Sequence, residues 1–262
     1  MLSPGQRHRL KVEMRQKLEQ QQAIAIADGE SMHLQARAVD KDAARLKGMT
    51  NAERTEIKRQ EFLPNYLPTA QHYLDDGKIY KNPIFAYCVV WLFDVGEFQH
   101  GLDWADIAIE QGQLTPTGFK SGFPAFVADT ILQWAQLETE AGNAIEPYFS
   151  RTFHNVTEKW RVHEKIKAKW YKFAALEILK GDNSEAKASA IDNVDDLEKA
   201  DAYLARAHQL NPKSGVRTHR TRIAMRLRAL TAEWLPQAKW AQLRQCNWLQ
   251  LAKEAGLAHF LH

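Results

Sequence analysis

Apolar residues recur along most of this chain with the 3.6-residue period of an α-helix, and glycines, prolines and capping residues cut that pattern into segments. The clearest segment runs from Tyr87 to Pro116, where Gly96 divides two amphipathic patterns and Pro116 closes the second. Trp91, Leu92 and Val95 form one apolar stripe; Leu102, Ala105, Ile109 and the ring of Trp104 form another. Each helix has a face it does not bury alone, so the two are expected to pair. A looser copy runs from Trp170 to Pro212, with Tyr171, Ala174, Leu176 and Leu179 before Gly181, then Ala200, Tyr203, Leu204, Ala207 and Leu210 before Asn211-Pro212. Between its helices, Asp182 to Glu198 is rich in Asp, Ser, Asn and Lys and reads as an exposed loop or a frayed helix start.

Strand patterns are scarce, so the expected fold is all-α. It consists of helical hairpins with tetratricopeptide-like repeat units, around 84–112 and 160–212, preceded by N-terminal helices. Ser3 as N-cap with Pro4 and Gln6 starts a helix towards Ala27; Asp28-Gly29-Glu30-Ser31 breaks it, and a second helix runs from Ser31 to about Lys47. Thr50 to Glu53 is a capping box opening a third, which leads to Pro64 and Pro68, where a turn or kink is expected. Gln111 to Pro124 reads as a connector to a helix from about Ala125 to Ala141. Beyond the Glu146-Pro147 turn comes a long basic helix from about Val156 to Lys180. Val216 to Ala232 is amphipathic, and Pro236 opens a last segment containing Trp240 and Trp248. Three regions result: 1–48, a basic helical region; 49–212, a helical-repeat core; and 213–262, an arginine-rich helix with a tryptophan-rich tail.

The net charge of +3 hides strong segregation. Residues 94–150 carry nine acids against Lys120, whereas 213–230 carry six bases and no acid. Such blocks favour contact with nucleic acid or with an oppositely charged neighbouring subunit; solvated helix faces are the plainer reading. Cys88 and Cys246, each in a helical pattern, give no disulfide framework. No run reaches the roughly 18 apolar residues of a membrane span, and the polar start lacks a signal-peptide core, so an intracellular protein without a membrane partner is expected.

Signatures of catalysis are weak. Gly96 to Gly101 has the glycine spacing of a phosphate-binding loop, but Leu102-Asp103 stands where Lys and Ser or Thr are required. His154 and His163, or His259 and His262, have no nearby acids or cysteines completing a metal set. The Asp75-Asp76-Gly77-Lys78 run is more simply a turn. No catalytic residue, metal or cofactor is therefore expected. Trp234, Trp240 and Trp248 either belong to the core or dock the tail on a partner protein as interface anchors.

Four segments taken in order resemble a known family. They are Ser3-Pro4-Gly5-Gln6-Arg7-His8-Arg9; Glu61-Phe62-Leu63-Pro64 through Leu67-Pro68; the Trp91 to Gly96 helix end continuing to Gly112-Gln113-Leu114-Thr115-Pro116; and Ala205-Arg206-Ala207-His208-Gln209-Leu210 with Gly215-Val216. The family is the small subunit of the terminase of tailed bacteriophages, in the cohesive-end class of temperate myophages. The resemblance implies a subunit that recognises the cohesive-end site on double-stranded phage DNA and presents it to a large subunit holding the ATPase and nuclease. It implies work in the cytoplasm of the infected bacterial host, with no activity of the chain's own, although some members are labelled endonuclease subunits. The family's Lys/Arg-rich C-terminal tail is not matched by residues 231–262, which are nearly neutral.

On this reading, phosphates are neutralised by the N-terminal helix (Arg7, Arg9, Lys11, Arg15, Lys17) and by the helix after Pro212 (Arg217, Arg220, Arg222, Arg226, Arg228). The segregated charges suggest a homo-oligomer, most simply a ring. The alternatives are a helical-repeat adaptor with no nucleic-acid role, whose basic helices pack on acidic segments such as 94–110 and 182–201 of neighbouring subunits, and a metal-dependent endonuclease subunit using His154 and His163.

Overall fold

A computed structural model describes residues 14–15, 33–181 and 185–234, the side chains of 232–234 excepted. All regular structure among them is helical. The helices are α1 (33–45), α2 (Asn51–Ile57), α3 (Leu63–Asp75), α4 (Pro83–Asp94), α5 (Phe98–Glu110), α6 (Phe123–Ala141), α7 (Tyr148–His154), α8 (Glu164–Lys180), α9 (Val194–Leu210) and α10 (Arg217–Trp234). The helix expected from Pro4 to Ala27 lies outside the described residues except for Met14 and Arg15, both helical; the segment from Pro236 onward lies outside them altogether. Two compact units are present, Met1–Ile131 and Leu132–His262, with the boundary inside α6.

The first unit is organised by α4. Every residue from Ile84 to Phe93 is buried. The sequence suggests a single stripe here, but a helix apolar all round is stable only when neighbours enclose it. Phe62 and Tyr66 meet Trp91, Tyr73 meets Phe85, Trp104 of α5 meets Phe85, and Phe126 meets Phe93 edge-on at 5.7 Å. Asn82 caps the start of α4 by accepting from the Phe85 amide at 3.0 Å. At the other end Gly96, at φ 85°, lets the Glu97 amide reach back to the Leu92 carbonyl at 2.9 Å, a left-handed closure that a side chain would strain. Cys88 is sealed in this core, and burial pushes its thiol up to about 12, leaving it unreactive.

The expected capping box is present: the Thr50 side chain accepts from the Glu53 amide, and the Glu53 carboxylate accepts from the Thr50 amide at 2.8 Å. The prolines do not make a turn. Pro64 occupies the first turn of α3 and Pro68 lies inside it, while a wider π-type turn, Lys58–Phe62, precedes them. Pro64 at a helix start has no amide to satisfy, which is why the helix accommodates it.

Gln113 is the polar fastening of this unit. Buried at 7% exposure, its side chain accepts from the Asn82 amide at 3.0 Å and donates to the Tyr73 hydroxyl and the Tyr80 carbonyl, both at 2.7 Å. It thereby joins the end of α5 to the α3–α4 turn. Gln113→Ala is expected to lower the stability of the protein by about 2–4 kcal/mol, since it strands several buried polar groups at once. Chemical denaturation followed by circular dichroism measures this, and a loss below about half a kcal/mol would show the network to be dispensable.

The second unit is built on α8 and α9. Ala175, Leu179, Leu197, Ala200, Leu204 and Ala207 form its buried seam, with alanines where the helices approach each other. The long helix expected from Val156 to Lys180 is instead interrupted. A π-type turn, Asn155–Lys159, leads to Trp160 in an extended conformation, and α8 starts only at Glu164. His163 accounts for the restart: its Nδ1 accepts from the Lys165 amide at 3.1 Å, acting as N-cap. The insertion before α9 is not wholly exposed. Ala188, in a short 3-10 turn (Ala188–Ala190), is buried in the seam and Ile191 packs on it. The α4–α5 and α8–α9 pairs fall where hairpins are expected; packing alone does not fix their repeat type.

Candidate nucleic-acid interface

α10 begins where α9 has to stop. Asn211, in extended backbone, ends α9, and Pro212 comes next. Gly215 at φ 71° turns the chain so that Val216 is buried. Ile223 is fully buried and Leu227 and Leu230 are partly so, giving α10 one apolar edge against the α8–α9 seam. At about 100° per residue these four positions fall within about 60° of arc.

The five arginines divide by their distance from that edge. Arg220 and Arg226 lie about 50–70° to either side of it. Arg220 grips Asp201 of α9 with two bonds, Nε at 2.8 Å and Nη2 at 2.9 Å. Arg226 donates to the Ile191 carbonyl at 3.0 Å and to the Asp192 carboxylate. Arg217, Arg222 and Arg228 point away from the edge; they are exposed and form no ion pair among the described residues. Of the five arginines expected to stand free for phosphates, Arg220 and Arg226 pair with acids of the 182–201 region of the same chain, whereas the adaptor alternative looks to neighbouring subunits for such acids. The helical wheel carried the signal, because an arginine adjoining an apolar seam is near enough to reach the partner helix.

Further cations gather at the start of α10. Lys172 of α8 donates to the Ser214 carbonyl at 2.9 Å, and Lys213 is exposed. His219 is half-buried; burial, then the charges of Lys172 and Arg222, lower its pKa below the usual 6.5. An exposed Arg15 is the one member of the N-terminal basic set within the described residues; Arg7, Arg9, Lys11 and Lys17 lie outside them. Trp234 ends α10, but its side chain is not described, and Trp240 and Trp248 lie outside. Among the described residues no three potential metal ligands gather, and His163 is occupied as a cap. No described helix is long and apolar enough to cross a membrane.

The described residues are therefore all-helical in their regular structure, and α10 presents exposed Arg217, Arg222 and Arg228 with no acid of its own from Arg217 to Thr231. The family described as phage small terminase subunit matches residues 36–165. The chain is 45% identical over 181 residues to a protein of Haemophilus phage HP1 named "Probable terminase, endonuclease subunit", covering 69% of the chain and 64% of that protein. It is 23% identical over 228 residues to the "Terminase, endonuclease subunit" of Escherichia phage P2, covering 87% of each. The chain thus spans a little under two thirds of the Haemophilus phage relative. No solved structure matches significantly. The chain belongs to the phage small terminase subunit family.

Two outcomes test the geometry of α10. Arg226→Gln should lower stability by about 1 kcal/mol, reading as a melting shift of about 2–4 °C; Arg222→Gln should leave the melting temperature within about 1 °C. Equal effects would refute the division. The second concerns pH. His219 binds its proton less readily folded than unfolded, so its contribution is fully present above about 6.5 and is lost as pH falls through the lower folded value. His219→Gln should flatten this acid-side decline in melting temperature; a variant with the wild-type pH profile would exclude His219 as its source.

Proposed function

We propose that this chain is the DNA-recognising small subunit of a phage packaging terminase. It binds double-stranded viral DNA at the packaging site and delivers it to a large subunit that supplies ATPase and nuclease activity. The family supports the role, and one observation carries the DNA contact: Arg217, Arg222 and Arg228 stand exposed on a helix that has no acid from Lys213 to Leu230. Polyanion binding is the natural use of such a face, because each phosphate it neutralises releases condensed counterions. Arg220 and Arg226 serve this role indirectly, by fixing the helix that bears the others. The N-terminal set Arg7, Arg9, Lys11, Arg15 and Lys17 adds further phosphate contacts. The tryptophans at 234, 240 and 248 mediate contacts with the large subunit or between copies in a homo-oligomer.

A reading without nucleic acid is favoured by one fact, the pairing of Arg220 and Arg226 within the chain. Salt dependence separates the two. Arg222→Gln with Arg228→Gln should reduce the slope of log affinity against log salt by about 2, at about 0.9 per phosphate. Fluorescence anisotropy of a labelled 30-base-pair duplex measures it. An unaltered slope would exclude these arginines, and no binding at low salt would remove the DNA role itself.

A further inference from the structure

We propose that α10 is the helix that enters the DNA major groove, with Thr218, Thr221 and Met225 against base edges and Arg217, Arg228 and Arg222 on the phosphates of the two groove walls. The inference rests on the DNA-binding reading above and extends it from electrostatic attraction to sequence recognition.

The argument begins with what α10 leaves uncovered. It packs on α9 and the 3-10 turn before it along a single edge, and between Arg217 and Thr231 only Ile223 is fully buried. The opposite side is a ridge of Thr218, Thr221 and Met225, all exposed, Met225 at 62%. At about 100° per residue, Arg217 and Arg228 border this ridge on one side and Arg222 on the other. Met225 gives this cationic face one apolar side chain at its centre. It suits a surface that is itself buried on binding.

The arrangement matches the groove in size and chemistry. An α-helix about 10–12 Å across fits a major groove about 12 Å wide. Phosphates line both walls, and base edges and thymine methyl groups line the floor. Arginines bordering both sides of a helix reach both walls at once. Short threonines let the helix approach the floor, where the Thr218 hydroxyl meets base donors or acceptors, the Thr221 hydroxyl, which donates to the Arg217 carbonyl at 3.1 Å, accepts from base donors, and their methyls, with the Met225 thioether, meet thymine. The ion pairs of Arg220 with Asp201 and of Arg226 with Asp192 place acids at the seam, away from the ridge. From Arg217 to Thr231 α10 itself carries no acid to repel DNA, and the exposed Asp192 carboxylate beside it is paired with Arg226; a protein partner would need no such exclusion of acids.

The test uses the full-length protein and a pool of 30-base-pair duplexes with a randomised centre, enriched by rounds of capture. A preferred sequence should emerge. The variant Thr218→Ala, Thr221→Ala, Met225→Ala should bind that sequence at least about 10-fold more weakly and bind the unselected pool within about 2-fold of wild type. Replacing thymine by uracil and guanine by 7-deazaguanine in the selected site, which edits the major groove alone, should weaken wild-type binding in the same way. Because all three positions are exposed, an unchanged melting temperature serves as the folding control. Equal loss on selected and unselected duplexes, or a retained preference, would overturn the groove assignment while leaving DNA binding intact. A variant that alters only the mass of a protein oligomer would assign the ridge to a second copy and overturn the proposal. Absence of any duplex binding by the wild type would overturn both readings together.

Discussion

α10 has one narrow apolar edge, and the character of the candidate interface depends on that constraint. A helix with a single seam gains little from burial and would slide or roll unless its borders were fixed. Arg220 and Arg226 fix them, one on each side, on Asp201 and on the Ile191–Asp192 turn. Exposed ion pairs contribute little to stability by themselves. Their value here is geometric: they set the rotation of α10 about its axis, and so decide which residues face outward. The same two ion pairs that tie these arginines to acids turn Arg217, Arg222 and Arg228 outward.

The first unit obeys the opposite rule. α4 has no outward face, so α3, α5 and the start of α6 wrap it, and its polar termini are closed by Asn82 and by the Gly96 turn. Enclosure of that kind favours rigidity, and Gln113 extends it by joining three segments through one buried amide. α1 is held to this unit by tyrosines, Tyr87 donating to Asp40 at 2.9 Å and Tyr66 to Asp42 at 2.7 Å. Burial raises both phenols well above their ordinary range, so they remain donors at any physiological pH. The residues that precede α1 in sequence include the basic set from Arg7 to Lys17.

Much of this was legible in the sequence because local chemistry decided it. The all-helical class, the Thr50–Glu53 box, the Gly96 turn and the Pro212 boundary each depend on residues within a few positions of one another. The features that periodicity misses depend on partners far away in the chain. Trp160 and His163 break the basic helix because Trp160 is buried and His163 caps α8, neither visible from spacing alone. The stripe expected on α4 is only the most regular part of a helix buried on every side. At the candidate site the five arginines share one helix, as their spacing suggests, but treating Arg226 as free overlooks its position beside the seam. Charge counts along a sequence do not distinguish an arginine that reaches a neighbouring carboxylate from one that reaches solvent.

The division of the arginines also bounds what α10 is able to do alone. Three exposed arginines, at about 0.9 per phosphate, would give a salt slope of about 2.7, so affinity would change only about 40-fold between about 50 and 200 mM salt. A protein making about six to ten phosphate contacts changes by about 10³–10⁵ over that range. On the proposed reading one copy of α10 is therefore a weak binder, and neutralising more phosphates requires the N-terminal basic set or further copies of the chain. Several weak contacts held on one assembly raise affinity without any new contact per copy, provided the spacing lets them engage together. Base-edge discrimination multiplies in the same way. On the proposed reading, recognition belongs to the assembly, and each chain supplies a helix aimed by two ion pairs.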